Sequence, residues 1–463
     1  MGTPRRDFLK AALATAALAT CRRSWAQQAG NGSAPEEITG WAQLPAILAS
    51  IVPPQFPARD FVITGFGASP GGVEDCWHAL AAAIQDCHQA GGGRVVVPAG
   101  NWLSNGPIHL LSNVNLFLEE GANIEFGTDP ENYLPVVLVR WAGTRCYNYS
   151  PLVYAYQQTN IAITGSGTLY GRGTVWNQWT AKQGPDVTLL QYMALDGVPV
   201  EDRIFGPGHY LRPTMFEPYD CQNILVQGVT LRGSPFWTMH PTFCTNVTIQ
   251  NVTVFPGAES DDGCDPDSCQ NVLVTGCNFT TEDDNVSIKA GSLPDAAGLP
   301  ACENIVIQDC NCLQSSWGGL TLGSNTGGFI RNVFIENCTV SNCLNAHYLK
   351  SHANLGGGIE NVYIRSNHVL TCHNLLYVAP DAYDEAGIYG PPVFVNIHMQ
   401  DVTCGHATDC AFVIEGDPRQ PIEGVNLGNI AIKATRLVDQ VAATDGLVAT
   451  GITVDGSPVN VGD

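Results

Sequence analysis

The chain has 463 residues, 43 acidic against 21 basic side chains and a formal charge of −22. Charged residues make up 14%, apolar residues 44%, and there are 49 Gly and 29 Pro. This balance excludes a disordered chain, a coiled coil and a basic nucleic-acid binder, and leaves a turn-rich, β-dominated globular protein.

At the N-terminus, Arg5 and Arg6 precede Asp7-Phe8-Leu9-Lys10, an Ala/Leu run from Ala11 to Thr20, and Ser24-Trp25-Ala26 as a small-x-small cleavage site. The segment resembles a twin-arginine export signal over residues 1–26, which assigns the chain to the periplasm or the extracellular space. The apolar run falls short of the about 20 residues a membrane span needs. Removing the leader's five basic residues and one acid would take the charge from −22 to −26. Residues 27–463 then form one domain.

Glu74 to Ala90 reads as a helix, with Trp77, Leu80, Ala81 and Ile84 on one face and Gly91-Gly92-Gly93 ending it. Strands begin at Arg94-Val95-Val96-Val97. A repeat follows: Asn-apolar-x-apolar at Asn160, Asn223, Asn246, Asn271, Asn304, Asn332 and Asn361, with spacings from Asn223 onward of 23, 25, 33, 28 and 29. Each unit is a short period-2 strand introduced by a turn residue, which cannot bury its apolar side alone. Stacking coil on coil gives a continuous core, so the expected fold is an all-β parallel β-helix with the first helix capping its open end. Cysteines mark the same register. Cys221, Cys244, Cys269 and Cys302 stand two residues before the repeat Asn, and Cys277, Cys310 and Cys338 six after it. Such columns accommodate buried free thiols or disulfides. Val175–Pro218 and Leu375–Pro392 interrupt the repeat as long loops, and the tail beyond Val425 is ordinary alternating sequence.

Aligning the coils by inward residues makes Cys264, Val286 and Leu320 equivalent. Two positions back stand Asp262, Asp284 and Gly318; three back stand Asp261, Asp283 and Trp317. Adjacent Asp283 and Asp284 would face opposite sides of a straight strand, so a shared site requires them at the turn before Asn285, where alternation breaks. Neighbouring carboxylates raise one another's proton affinity and leave an acid beside a base, as glycosidic hydrolysis requires. A calcium site including Asp265 and Asp267, or plain solvated turns, fits the same residues.

The segments Asp129-Pro130-Glu131-Asn132-Tyr133-Leu134-Pro135-Val136, Tyr147-Asn148-Tyr149-Ser150-Pro151-Leu152, Gly165-Ser166-Gly167-Thr168-Leu169, Ser234-Pro235-Phe236-Trp237 and Asp262-Gly263-Cys264-Asp265-Pro266-Asp267-Ser268 resemble the polygalacturonase family of glycoside hydrolases, family 28, from about Phe61 to Val402. The resemblance implies a right-handed parallel β-helix with a groove along one sheet, and hydrolysis by single displacement with inversion. The family's Asn-Thr-Asp falls on Ser260-Asp261-Asp262 and its paired aspartates on Asp283 and Asp284. By resemblance Asp283 is the general acid, and Asp262 with Asp284 activates water. The family's Gly-His-Gly falls on Ser316-Trp317-Gly318 and its Arg-Ile-Lys on Tyr348-Leu349-Lys350, so a histidine and an arginine that would help bind uronate are replaced. Trp317 and Tyr348 offer apolar faces for sugar stacking, with Tyr348 expected outward because His347 and Leu349 point inward; Trp317 equally suits a buried turn.

The expected substrate is a pectic poly- or oligosaccharide, cleaved from chain ends or with altered subsites such as those for rhamnogalacturonan. A polyanion needs a local basic patch on so acidic a protein, for which Lys289, Arg331, Lys350 and His352 are candidates. Asp265 and His240 are further groove candidates. Neither an organic cofactor nor a metal is expected, and oligomeric state is left open. A β-helix polysaccharide lyase or a degenerate carbohydrate-binding protein are the alternatives.

Overall fold

The computed structural model describes residues 40–380, 388–433 and 436–462; the expected leader lies outside them. Gly40–Gln43 form a single 3-10 turn. From Leu44 onward the chain is one unit, a right-handed parallel β-helix.

The repeat asparagines show how sequence becomes winding. Asn160, Asn223, Asn246, Asn271, Asn304, Asn332, Asn361 and Asn396 all have φ between 54° and 59°, the left-handed region that Asn tolerates better than other side chains. Their amides also form a ladder along the solenoid. Asn223 Nδ2 donates to Asn160 Oδ1 at 3.0 Å, Asn332 to Asn304 at 3.3 Å, Asn361 to Asn332 at 3.2 Å and Asn396 to Asn361 at 2.8 Å. One residue type thus makes the bend and links most rungs to the last, with a break between Asn246 and Asn271, where the Asn246 Oδ1 has no partner. The residues after each Asn pair in parallel register, for example Ile224 with Val247, Val247 with Val272 and Val272 with Ile305, and their side chains enter one continuous core.

The cysteine columns hold free buried thiols. Cys244, Cys269 and Cys302 donate through Sγ to the carbonyls of Pro218, Pro241 and Pro266, at 3.1, 3.0 and 3.4 Å. The thiols therefore satisfy carbonyls at the turns rather than cross-link the coils.

The helix spans Trp77–Gln89 and ends as expected, with Gly91 N–H donating to His88 O and Gly92 N–H to Cys87 O. Its inner face is Ala79, Leu80, Ala83, Ile84 and Cys87; Ala81, expected inside, is exposed. These side chains join the core of the first coils. Two expected loops are corrected. Val175–Pro218 contains a 19-residue helix, Asn177–Leu195, whose internal Gly184-Pro185 hides its helical pattern. Leu375–Ala379 continues the strand Cys372–Ala379, while 381–387 lie outside the described residues. The tail adds further coils through Ile422–Ile432 and Val448–Val454, and the latter pairs antiparallel with Ser457–Pro458.

Candidate active site

On the groove sheet, the strands Val286–Ile288, Gly318–Leu322, Cys343–Lys350 and Cys372–Ala379 stack in parallel. Cys264 bridges to Val286, and Val286 pairs with Leu320, the register expected from sequence. The carboxyl oxygens of Asp262, Asp283 and Asp284 lie within 4.8 Å of one another. The turn that breaks the alternation is clamped from inside. Asn285 Nδ2 donates to Thr281 Oγ1 and to Gln314 O, both at 2.7 Å, and Thr281 Oγ1 donates to Asp283 O at 2.6 Å. Asp283 and Asp284 can therefore share one site although they are adjacent in the chain.

The three acids have different surroundings. Asp284 accepts from Gly318 N–H at 2.8 Å, Ser287 Oγ at 3.1 Å and Lys350 Nζ at 2.9 Å. Asp262 accepts from Lys289 Nζ at 3.1 Å; the same ammonium lies 3.2 Å from Asp265, donates to Ser287 Oγ at 2.8 Å and sits over the Trp237 ring. Among the described residues no ion pair reaches Asp283, whose Oδ1 accepts only from Asp284 N–H at 2.8 Å. Burial, then the charges of Asp262 and Asp284, push its pKa well above the ordinary carboxylate range despite the two lysines. The half-buried Asp283 thus holds its proton more strongly than an ordinary carboxyl group. Both lysines stay charged, because the carboxylates around them outweigh the cost of burial. With two ammonium groups already supplying positive charge, the donor set does not suit a calcium ion, which would be repelled by both.

Sequence reasoning missed the role of Asp261. It is buried, and its carboxylate accepts from the backbone N–H groups of Glu282 (2.7 Å), Asp283 (3.1 Å) and Gly257. It thereby anchors the backbone that carries the acid on the next rung. Burial raises its pKa to about 6, against the lowering effect of these bonds. The column alignment placed it next to Asp283 but did not show which way its side chain turns.

Gly318 is the second missed residue. A Cβ there would lie 2.0 Å from Thr321 Oγ1 and 2.5 Å from Asp284 Oδ1. Gly318→Ala is therefore expected to displace the Asp284 carboxylate and lower kcat by at least about tenfold, the loss that a misplacement near 1 Å readily produces. Near-normal kinetics for a folded Gly318→Ala protein would show that this close approach is not needed.

The other candidates divide clearly. Trp317, one residue from Gly318, is 38% exposed and is not the buried turn filler. Tyr348, expected outward, leaves the core but is only 9% exposed, edge-on to Tyr377 and beneath the Lys350 ammonium. Lys289 and Lys350 are buried in ion pairs with the acids, so their charges are committed before any sugar binds. His240 and Asp265 are sealed completely, so neither meets a sugar directly. His240 lies between Glu217 and Asp267, which outweigh burial and raise its pKa to about 9. Arg331 pairs with Glu360 on the opposite sheet, and His352 is buried. Trp237, not anticipated as a lysine partner, belongs to a stack with Phe236 and Trp141.

The sequence model of glycosyl hydrolases family 28 matches residues 208–449, which include all three acids. The chain belongs to this family. A hyperthermoactive exopolygalacturonase from Thermotoga maritima has a solved structure that is 35% identical, with a TM-score of 0.85 over 90% of this chain and 97% of that one. A probable polygalacturonase from Vitis vinifera is 29% identical over 57% of this chain and 52% of its own length, and an exo-poly-alpha-D-galacturonosidase from Dickeya chrysanthemi is 26% identical over 58% and 48%. The chain thus spans about half the length of these curated relatives. Within the family 28 fold, Asp262, Asp283 and Asp284 are the acids brought together on the groove sheet, with Lys289 and Lys350 as their fixed counter-charges.

Proposed function

We propose that the chain hydrolyses O-glycosidic bonds in pectic saccharides, acting from chain ends. The observation that carries this reading is the cluster of three acids in which one holds its proton more strongly than an ordinary carboxyl group and the other two accept from ammonium groups. In the proposed reaction Asp283 protonates the leaving glycosidic oxygen. A water held between Asp262 and Asp284 loses a proton to one of them and attacks the anomeric carbon. Trp317 supplies a stacking face; Tyr348, His240 and Asp265 act from beneath, by positioning Lys350, Asp267 and Lys289.

Exo action is supported by how a hairpin and a helix outside the regular coils are fastened. The hairpin Val137–Trp141 and Thr144–Asn148 is bolted beside the groove by Arg140 on Asp267 at 2.9 Å and by Arg145 on Asp295 at 2.9 Å, and Arg203, after the turn Val200–Asp202, holds the same Asp295 at 2.8 Å. The helix Asn177–Leu195 is tied to the opposite turns through Gln183 on Arg212 and Asn177 on Glu259 N–H. Walls of this kind restrict a polymer passing through while admitting its end. The names of the relatives support a galacturonate substrate, and export by a twin-arginine route remains the reading of the leader.

Oxygens within 4.8 Å are closer than the about 6.5–9.5 Å usual between carboxyl groups of inverting enzymes. Inversion is nevertheless preferred here, because ammonium and backbone donors engage the lone pairs that Asp284 would need for attack on carbon. The test is to incubate the protein with defined galacturonate oligosaccharides in chelator and follow the first product by NMR. The expected result is single sugars or short units released from one end, with the anomer inverted. A retained anomer would overturn the water-holding roles, an unsaturated product would identify a lyase, and a rapid fall in polymer viscosity would overturn exo action.

A further inference from the structure

Outside the groove, on the sheet formed by strands Thr168–Tyr170, Thr230–Arg232 and Thr253–Phe255, lies a surface hollow of about 800 Å³. Tyr170, Arg232 and Phe255 are in register on three successive rungs, so their side chains share a face. Among the described residues Arg232 is the one arginine whose side chain makes no hydrogen bond or ion pair; its guanidinium instead lies over the Tyr170 ring, 4.1 Å from the ring centre. Gly233 leaves room for this arrangement, since a Cβ there would come within 2.7 Å of the same ring. Phe255 is 48% exposed. The nearby acid, Glu125, faces Arg172 at 3.4 Å and leaves Arg232 without a competitor. Thr168, Thr230 and Asn123 line the rest of the hollow with hydroxyl and amide groups.

An exposed, uncompensated guanidinium on a chain with a charge of −22 is suited to a carboxylate, which it can grip in bidentate fashion, and its stacking on Tyr170 reduces the freedom lost on binding. An open phenyl ring one rung away is suited to the apolar face of a sugar. We propose that this hollow is a second saccharide-binding site, for the uronate units of an acidic glycan, which tethers the polymer while the groove acts on its end. The site is separate from the three acids, which stand in the turns leading into the other sheet. The ligand class agrees with the proposed substrate, but binding here does not depend on hydrolysis.

The test measures native-gel retardation of the full chain by polygalacturonate, using Asp283→Asn with and without Arg232→Ala and Phe255→Ala. In parallel, kcat/KM on a short galacturonate oligosaccharide is measured with Asp283 intact. Because a tether adds to apparent polymer affinity, the double substitution is expected to weaken retardation by about tenfold while kcat/KM on the short substrate stays unchanged. Unchanged retardation, equal loss in both measurements, or no retardation of the parent protein would each overturn the proposal. So would a change in oligomeric state on gel filtration, which would assign the face to contact between chains. Failure of hydrolysis alone would overturn the proposed function and leave the retardation result readable.

Discussion

Asp283→Asn is expected to lower turnover by about 10²–10⁴, the usual contribution of a general acid, and at the same time to raise the melting temperature at neutral pH. The Asn keeps the Oδ1 acceptor for Asp284 N–H and removes a carboxyl group whose ionisation is opposed by burial and by Asp262 and Asp284. The sign follows from linkage. A carboxyl group whose pKa is raised on folding helps the folded state below its unfolded value, near 3.8, and loses that benefit as pH climbs through the folded value. The stability advantage of the variant should therefore be absent in acid and open as pH rises above about 4. For the parent protein the same shift predicts that the proposed activity falls on the alkaline side as Asp283 loses its proton. Thermal scans and rate profiles across pH check both. A variant that is no more stable at pH 7 than at pH 3.5, relative to the parent, would show that Asp283 ionises freely; unchanged turnover would remove it as the acid.

Lys350→Met carries the largest expected loss of stability, about 3–5 kcal/mol, because it leaves a buried carboxylate without its counter-charge. The ammonium and Asp284 are both buried and 2.9 Å apart; the remaining donors to Asp284 are Ser287 Oγ and Gly318 N–H. Adding Asp284→Asn to Lys350→Met should recover much of the loss, since an amide there needs no cation. Urea unfolding of the two single variants and the double variant measures the coupling. Additive effects within about 0.5 kcal/mol would show that the pair is not energetically joined. The outcome also bears on the replaced arginine at Tyr348, for a lysine spent on Asp284 cannot serve as that arginine's substitute toward uronate.

Much of this architecture is written locally. Asn223, Asn246 and Asn271 announce each coil because the left-handed bend and the amide ladder ask for the same side chain. Cys264, Val286 and Leu320 give the register of the groove sheet because an inward position must be apolar whichever coil it belongs to. Asp262, Asp283 and Asp284 could be aligned from that register and from the resemblance to family 28. The helix Asn177–Leu195 was not legible, since it has little amphipathic contrast and contains Gly184-Pro185.

The sequence by itself determined the winding, the alignment of the rungs and the convergence of three acids, because each depends on a period or a turn that is local to one coil. Only the tertiary structure decided which outward-facing side chains remain accessible. Arg140 reaches Asp267 from a hairpin far earlier in the chain, His240 is enclosed between Glu217 and Asp267, and the two lysines turn toward the acids and not toward solvent. Exposure and charge pairing are set by segments distant in sequence that meet over the sheet, and a periodic pattern carries no record of those meetings.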